Sequence, residues 1–266
     1  MNGLFAIGDV HGDVRRATEL LQAAGLIDVE SRWTGDASNL IFIGDLTDRG
    51  THGLETIALV RNLQQQAEQA GGYVESLMGN HDGVLLARAF ECRGEKADPD
   101  CWPLFIANGG KDREAKAISD DDETFRWLQA RPMMVSIDDT LFQHADSGLY
   151  YQRLGSTIEK VNEAGAQMAE TAKGAWRIFY GMTDGRDWDV GGLHAPRAAE
   201  INLDRHLSQF EVRRVVHGHS RHLEWTPLVY AHGKAINIDG SLSEGYRKDS
   251  RRGFVADLDA IGYPSA

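Results

Sequence analysis

The chain is predicted to fold as an α/β layer protein, and three observations carry that prediction. Short apolar runs alternate with stretches of helical periodicity along most of its 266 residues. Five of the apolar runs end in turns rich in Gly, His and Asp. No stretch rich in Pro, Gly and Ser divides the chain, so residues 1–266 are expected to form a single domain. In open α/β sheets, ligands bind outside the carboxyl ends of the strands. Five polar turns in that position are therefore expected to converge on one site.

The elements follow in order. Leu4–Ile7 is a short apolar run ending in "GDVHGD". Behind it, Val14, Ala17, Leu20, Leu21 and Ala24 share one helical face, and Gly25 stops the helix. Residues 40–43 form a second apolar run ending in "GDLTDRG", followed by a helix over about 54–69 that Gly71 and Gly72 close. A third run, 73–78, ends in "GNHD", and a helix is expected from about Gly83. Residues 133–137 and Thr140–Gln143 read as two strands around a turn at Asp138 and Asp139, the second ending in "HAD". Residues 212–216 run into "HGHS", and 235–238 and 253–258 read as closing strands. The segment from about 88 to 132 lacks strand signals and is expected to be a mostly helical insertion beside the site, carrying both cysteines.

Composition narrows the function classes. The formal net charge of −12 argues against a nucleic-acid partner, which needs a basic footprint. No stretch approaches the roughly 20 apolar residues of a membrane span, so no membrane partner is expected. The N-terminus shows no basic and apolar export signal. Cys92 and Cys101 are therefore read as free thiols in a cytoplasmic protein. "SDDDE" at 119–123 reads as a solvated helix start.

The five turns hold chemistry that a core does not need. Asp9 and His11 are two apart, so on extended backbone both face one side and can ligate one ion. Asp45, at the next strand end, can lie between that ion and a second. Asn80, His144 and a histidine of "HGHS" would complete the coordination of the second ion. Mixed His, Asp and Asn donors suit manganese, iron or zinc. Two such ions activate water and clamp the oxygens of an in-line displacement at phosphorus. Taken singly, each motif is more simply a turn, because Gly and Asp are turn residues. Five strand ends carrying ligand types together are a poor fit to accident.

In this order, "GDVHGD", "GDLTDRG", "GNHD", an apolar run before His144, and "HGHS" resemble the signature of the calcineurin-like metallophosphoesterases. "GDLTDRG" is similar to the form found in the phosphoprotein phosphatase branch, which includes serine/threonine phosphatase-like members of bacterial type. "NGG" at 108–110 and "INIDGS" at 236–241 resemble that branch as well. The resemblance implies a four-layer α/β/β/α sandwich of two mixed sheets with flanking helices. It implies Asp9, His11 and Asp45 on the first metal, and Asp45, Asn80, His144 and His219 on the second. His81 would be the general acid, oriented by Asp48, and Arg49 and Asn80 would grip phosphate oxygens. An arginine fork matches phosphate geometry, and a carboxylate behind a histidine fixes its tautomer. The cofactors would be two divalent transition ions, manganese first among them, and the partner a phosphorylated protein or small phosphoester. The implied reaction is hydrolysis of phosphomonoesters by direct attack of a metal-bridging hydroxide.

Three positions depart from the family pattern. Asp82 stands where eukaryotic phosphoprotein phosphatases have Glu. Bacterial members and symmetrical diadenosine tetraphosphate hydrolases often carry this Asp, which makes those hydrolases the alternative, although they usually lack a counterpart of Asp48. "GHS" at 218–220 favours His219 as the ligand, while a GHxH reading would add His217. The branch also places another phosphate-binding arginine between the fourth and fifth motifs, where Arg177, Arg186 and Arg197 all lie; Arg186 in "TDGRDW" is the expectation. An inactive metal-binding scaffold is the alternative of another class, and it is disfavoured because no motif position is lost. Trp102, Trp127, Trp176 and Trp188 are expected to pack, and His52, His194, His206 and His232 to lie on the surface or in loops.

Overall fold

The structure is a computed structural model describing residues 3–183, 197–246 and 253–263. Its first sheet starts with β1 (Leu4–Ile7), β2 (Asn39–Phe42) and β3 (Tyr73–Ser76), which run parallel in the order β3-β2-β1. β9 (Val255–Asp257) closes the other edge antiparallel to β1. The second sheet has the order β4-β5-β6-β8-β7. Here β4 (Met134–Ile137) pairs antiparallel with β5 (Thr140–Gln143), while β6 (Arg214–His217) and β8 (Ala235–Asn237) continue parallel to β5. β7 (Leu228–Tyr230) forms the antiparallel edge. This strand was not read from the sequence, because it is only three residues long, Leu228–Tyr230.

Alternation along the strands explains why the sheets stack. Successive side chains point to opposite faces. Leu4, Ala6, Ile41, Ile43, Phe142, Val216, Ile236 and Ile238 form a buried layer between the two sheets. Their neighbours Phe5, Ile7, Leu40, Phe42, Leu141 and Val215 join the larger core under the helices. With both faces covered, the strands read as continuous apolar runs. The result is the two-sheet α/β arrangement with flanking helices that the motifs imply.

The helices follow the expected periodicity. α1 (Val14–Ala23) is capped by the Asp13 carboxylate, which accepts the Arg16 N–H at 3.0 Å. α2 (Gly53–Gln69) follows the second motif. α3 (Asn80–Cys92) begins three residues before Gly83, which corrects the expected start. Beyond the end of α3, the 88–132 segment holds α4 (Cys101–Ala107), α5 (Asp112–Asp120) and α6 (Asp122–Gln129). Cys101, Phe105, Ala115, Ile118, Phe125 and Leu128 bury its inner side in the main core. Asp121 caps α6 through its side chain, so "SDDDE" spans the end of one helix and the start of the next. A π-helix (Tyr150–Leu154), α7 (Ile158–Met168), α8 (Ala172–Thr183) and α9 (Arg197–Gln209) lead back to the second sheet, and α10 (Leu258–Ile261) ends the described chain. No helix among the described residues is long and apolar enough to cross a membrane.

Two expectations about side chains need correction. His206, expected at the surface, is fully buried on α9, with Nε2 2.6 Å from Gln143 Oε1. Its apolar neighbours on the helix face hide it from a reading by residue type. Trp102 is 47% exposed instead of packing into the core, and its Nε1 donates to Asp112 Oδ2 at 3.2 Å. Trp188 and His194 lie outside the described residues.

Candidate active site

The motif turns follow the carboxyl ends of the parallel strands, so stacking the two sheets brings them to one rim. The turns are tight and carry positive φ at residues with side chains: His11 at 47°, Asp45 at 51°, Asp48 at 66°, Arg49 at 55° and His219 at 63°. Such residues cost about 1–3 kcal/mol each and cluster where function fixes them. Gly79 is needed for a different reason. A Cβ there would lie 2.3 Å from the Asp45 backbone nitrogen, so only glycine lets the third motif pass the second.

Asp45 lies at the centre. His11 Nε2 is 3.6 Å from its Oδ2, and His144 Nε2 is 3.5 Å from the same atom. Its Oδ1 accepts the backbone N–H of His81 at 2.8 Å. The two histidines are turned inward by backbone carbonyls: Nδ1 of His11 donates to Thr47 O at 3.0 Å, and Nδ1 of His144 donates to Ile43 O at 2.9 Å. A carbonyl only accepts, so each Nδ1 carries the proton and each Nε2 faces Asp45. Asn80 Oδ1 lies 2.9 Å from His144 Nε2 and 3.0 Å from His219 Nδ1. Asp9 accepts the His219 N–H, at 3.2 Å to Oδ2. Two groups of donor atoms result, Asp9 with Asp45 and His144, and His11 with Asp45 and His81, each within 4.8 Å. Asp45 is common to both groups. The grouping differs from the implied assignment in drawing in His81.

His217 is turned elsewhere. Its Nε2 is 2.7 Å from the Tyr230 hydroxyl on β7, and its Nδ1 is 3.0 Å from Gly218 O. The geometry thus favours His219 over His217 at the rim. His81 Nδ1 is 2.9 Å from Asp48 Oδ2, and its Nε2 is 3.1 Å from Arg49 Nη2. Asp48, His81 and Arg49 therefore form one connected unit beside the donor groups. Arg186 lies outside the described residues, as does the side chain of Arg197. Arg177 is exposed and lines a small apolar cavity with Met133, Tyr150 and Leu154, away from these partners.

Three functional features were not read from the sequence. Asp82 accepts backbone N–H groups from Gly79 at 3.0 Å, Asp45 at 2.9 Å and Leu46 at 3.1 Å. It caps α3 and ties the second and third motifs together, which is why the helix starts at Asn80. Burial, with Asp45 adding to it, raises its pKa to about 7. Asp239, in the "INIDGS" landmark, is a third buried carboxylate facing Asp9 and Asp45. Gly109 and Lys111 bring the insertion onto the second motif. A Cβ on Gly109 would lie 2.8 Å from Arg49 Cα, and Lys111 Nζ donates to Gly50 O.

The electrostatics test whether cations fit here. Burial and then Asp239 hold Asp9 well above the usual carboxylate range, and burial raises Asp239 to about 6. Burial works against Asp45 as well, but His144, His81 and His11 bring it well below that range. His144 rises to about 10 despite burial, because Asp45 and Asp9 face it. His11 is lowered by burial and by His81. Gathering three buried carboxylates is costly unless positive charge is shared among them. Carboxylate and imidazole donors of this kind fit divalent transition ions. The residues present thus suit a dinuclear metal site.

Comparison with known proteins agrees. The family model for calcineurin-like phosphoesterases matches residues 4–221. The chain is 42% identical over 196 residues to Shewanella-like protein phosphatase 2 of Arabidopsis thaliana, covering 60% of this chain and 50% of that one. It is 30% identical over 141 residues to the symmetrical bis(5'-nucleosyl)-tetraphosphatase of a Janthinobacterium species, covering 53% and 42%. The chain thus spans about half the length of these relatives. Among solved structures, the cold-active protein-tyrosine phosphatase of a psychrophilic Shewanella species superposes with a TM-score of 0.69 at 25% identity, covering 92% of this chain and 73% of that one. With the ordered motifs, the two-sheet fold and the shared Asp45 in place, the chain belongs to the calcineurin-like phosphoesterase family, with relatives on its phosphoprotein phosphatase-like branch.

Proposed function

We propose that the protein is a metal-dependent hydrolase of phosphomonoesters, with phosphorylated side chains of proteins as its substrate class. One observation supports this above the rest: two donor groups share Asp45, and the Asp48–His81–Arg49 unit joins one of them through His81. In this reading Asp9, His11 and Asp45 hold one divalent ion, and Asp45, Asn80, His144 and His219 hold the other. Such ions would lower the pKa of a bound water from about 15.7 towards 7 and would supply positive charge to phosphate oxygens. Manganese is our first choice, and the donor set suits iron or zinc too. The two cysteines, which form no disulfide, support a cytoplasmic setting.

The chain's own groups supply the rest. Arg49 presents two parallel donors to phosphate oxygens. Asp48 accepts from Nδ1 of His81, which leaves Nε2 to deliver a proton to the leaving oxygen. At present Nε2 faces Arg49 Nη2. Arginine only donates, so Nε2 accepts in that contact; turning the guanidinium onto a phosphate would free Nε2 to take up the proton that it delivers. The test is turnover of nitrophenyl phosphate by the purified protein with manganese, iron or zinc added. Metal-dependent turnover abolished by EDTA is expected. Full metal loading by elemental analysis with no turnover of any phosphoester would overturn the reading in favour of a binding scaffold. A second reading, hydrolysis of dinucleoside tetraphosphates, is favoured by the tetraphosphatase similarity. Assaying diadenosine tetraphosphate beside phosphoserine, phosphothreonine and phosphotyrosine peptides separates the two.

A further inference from the structure

A second cation shares the Tyr246 ring with Arg49, in a place that the motif pattern does not assign. Arg221 follows the fifth motif directly, outside the interval between the fourth and fifth motifs where a further arginine was sought. Its guanidinium carbon lies 5.0 Å from the centroid of the Tyr246 ring. That of Arg49 lies 5.1 Å from the same centroid. The Tyr246 ring in turn stands edge-on to His11, with centroids 5.9 Å apart. One half-buried tyrosine thus joins a donor histidine of the site to two arginines.

The two cations are not equivalent. Arg49 reaches His81 and belongs to the catalytic unit. Arg221 is exposed, and its contact with Tyr246 is the one it makes among the described residues. Neither is paired with a carboxylate among the described residues, although the chain carries 40 acidic against 28 basic side chains. Asp239 lies within electrostatic range of Arg49, whereas the aromatic face alone offsets Arg221, and an aromatic face offsets a cation only in part. An anion spanning both would offset the rest. The guanidinium carbons are separated by at most the sum of their distances to one ring, a span that two adjacent anionic groups on one ligand can bridge.

We propose that Arg221 is a specificity residue that binds a second anionic group next to the scissile phosphate. This deepens the phosphoesterase reading and rests on it. The ligand chemistry is a phosphoryl group to be cleaved, in an ester or an anhydride, whose neighbour is itself anionic. That neighbour is either an acidic side chain beside a phosphorylated residue or the next phosphate of a polyphosphate. Arg221 holds the neighbour while Arg49 holds the phosphate to be cleaved, and the Tyr246 ring keeps the two forks apart and oriented.

The test compares the parent with Arg221→Gln and Arg221→Lys. Calorimetry on the metal-loaded protein measures binding of inorganic phosphate and of pyrophosphate. Turnover is measured for a phosphoserine peptide with aspartates flanking the phosphoserine, for the same peptide with alanines, and for diadenosine tetraphosphate. Loss of one charge-assisted contact should lower pyrophosphate affinity roughly tenfold more than phosphate affinity in Arg221→Gln, with partial recovery in Arg221→Lys. The preference for aspartate over alanine should fall by a similar factor if peptides are the source. If polyphosphates are the source, the loss should fall on diadenosine tetraphosphate. An equal loss on phosphate and pyrophosphate, or none on either, overturns the proposal. A parent protein that turns over no phosphoester would sink the functional reading alone, since calorimetry still reports on Arg221.

Discussion

His81 shows how much one side chain's surroundings decide. It lies within reach of Asp45 and His11, as a ligand would, yet Asp48 holds its Nδ1 as for a general acid. The two roles respond differently to the leaving group. Nitrophenolate departs without a proton, whereas a serine-type alkoxide needs one in the transition state. His81→Asn is expected to lower kcat/KM on alkyl phosphates by roughly 10²- to 10⁴-fold and much less on nitrophenyl phosphate, with metal content intact. Equal losses on both substrates, accompanied by metal loss in elemental analysis, would instead make His81 a ligand. Asp45→Asn is the complementary substitution. It removes the negative charge shared by both donor groups and should lower both metal per chain and turnover; unchanged stoichiometry with full activity would exclude bridging.

At the scale of elements, the insertion and α3 do more than border the site. α3 starts early because Asp82 gathers three backbone N–H groups, and its first turn thereby carries Asn80 and His81 into position. The insertion reaches the second motif through Gly109, at φ 85°, and through Lys111. Gly109→Ala would place a Cβ 2.8 Å from Arg49 backbone atoms and force a left-handed alanine. We expect a stability loss of about 1–3 kcal/mol by denaturant unfolding. Inhibition by free phosphate should weaken too, because Arg49 must shift. Phosphate inhibition equal to that of the parent would show that the insertion does not hold Arg49.

For the molecule as a whole, the second sheet must stay seated under its helices, and His206 ties the two. It is buried between α9 and β5, and burial lowers its pKa to about 3. The unfolded chain would bind a proton there below about pH 6.5, while the folded chain resists it down to the lower value. Stability from this group is therefore complete above pH 6.5 and falls as the pH drops. At pH 5 the loss amounts to about 2 kcal/mol. His206→Gln keeps a donor for Gln143 and removes the titration. Denaturant unfolding at pH 7 and pH 5 should show a smaller drop for the variant than for the parent. An identical drop would mean that other groups carry the acid sensitivity.

The sequence by itself determined most strands, most helices and the ligand-type residues, for a local reason. Strand runs such as Leu4–Ile7 are apolar because both faces are covered, and the turns after them keep Gly, Asp and His because the turns are where backbone and chemistry meet. Asp9, His11, Asp45, Asn80, His144 and His219 were legible as a set from their order along the chain. Only the tertiary structure decided which of their atoms face one another, since that depends on stacking one sheet on the other. It turned His217 towards Tyr230, buried His206 against Gln143, and set Asp82 under two motifs at once. It also brought Arg221 and Tyr246 to Arg49 from more than 170 residues away. These contacts leave no local pattern, because a side chain's partner across a sheet interface is fixed by three-dimensional packing and not by spacing along the chain.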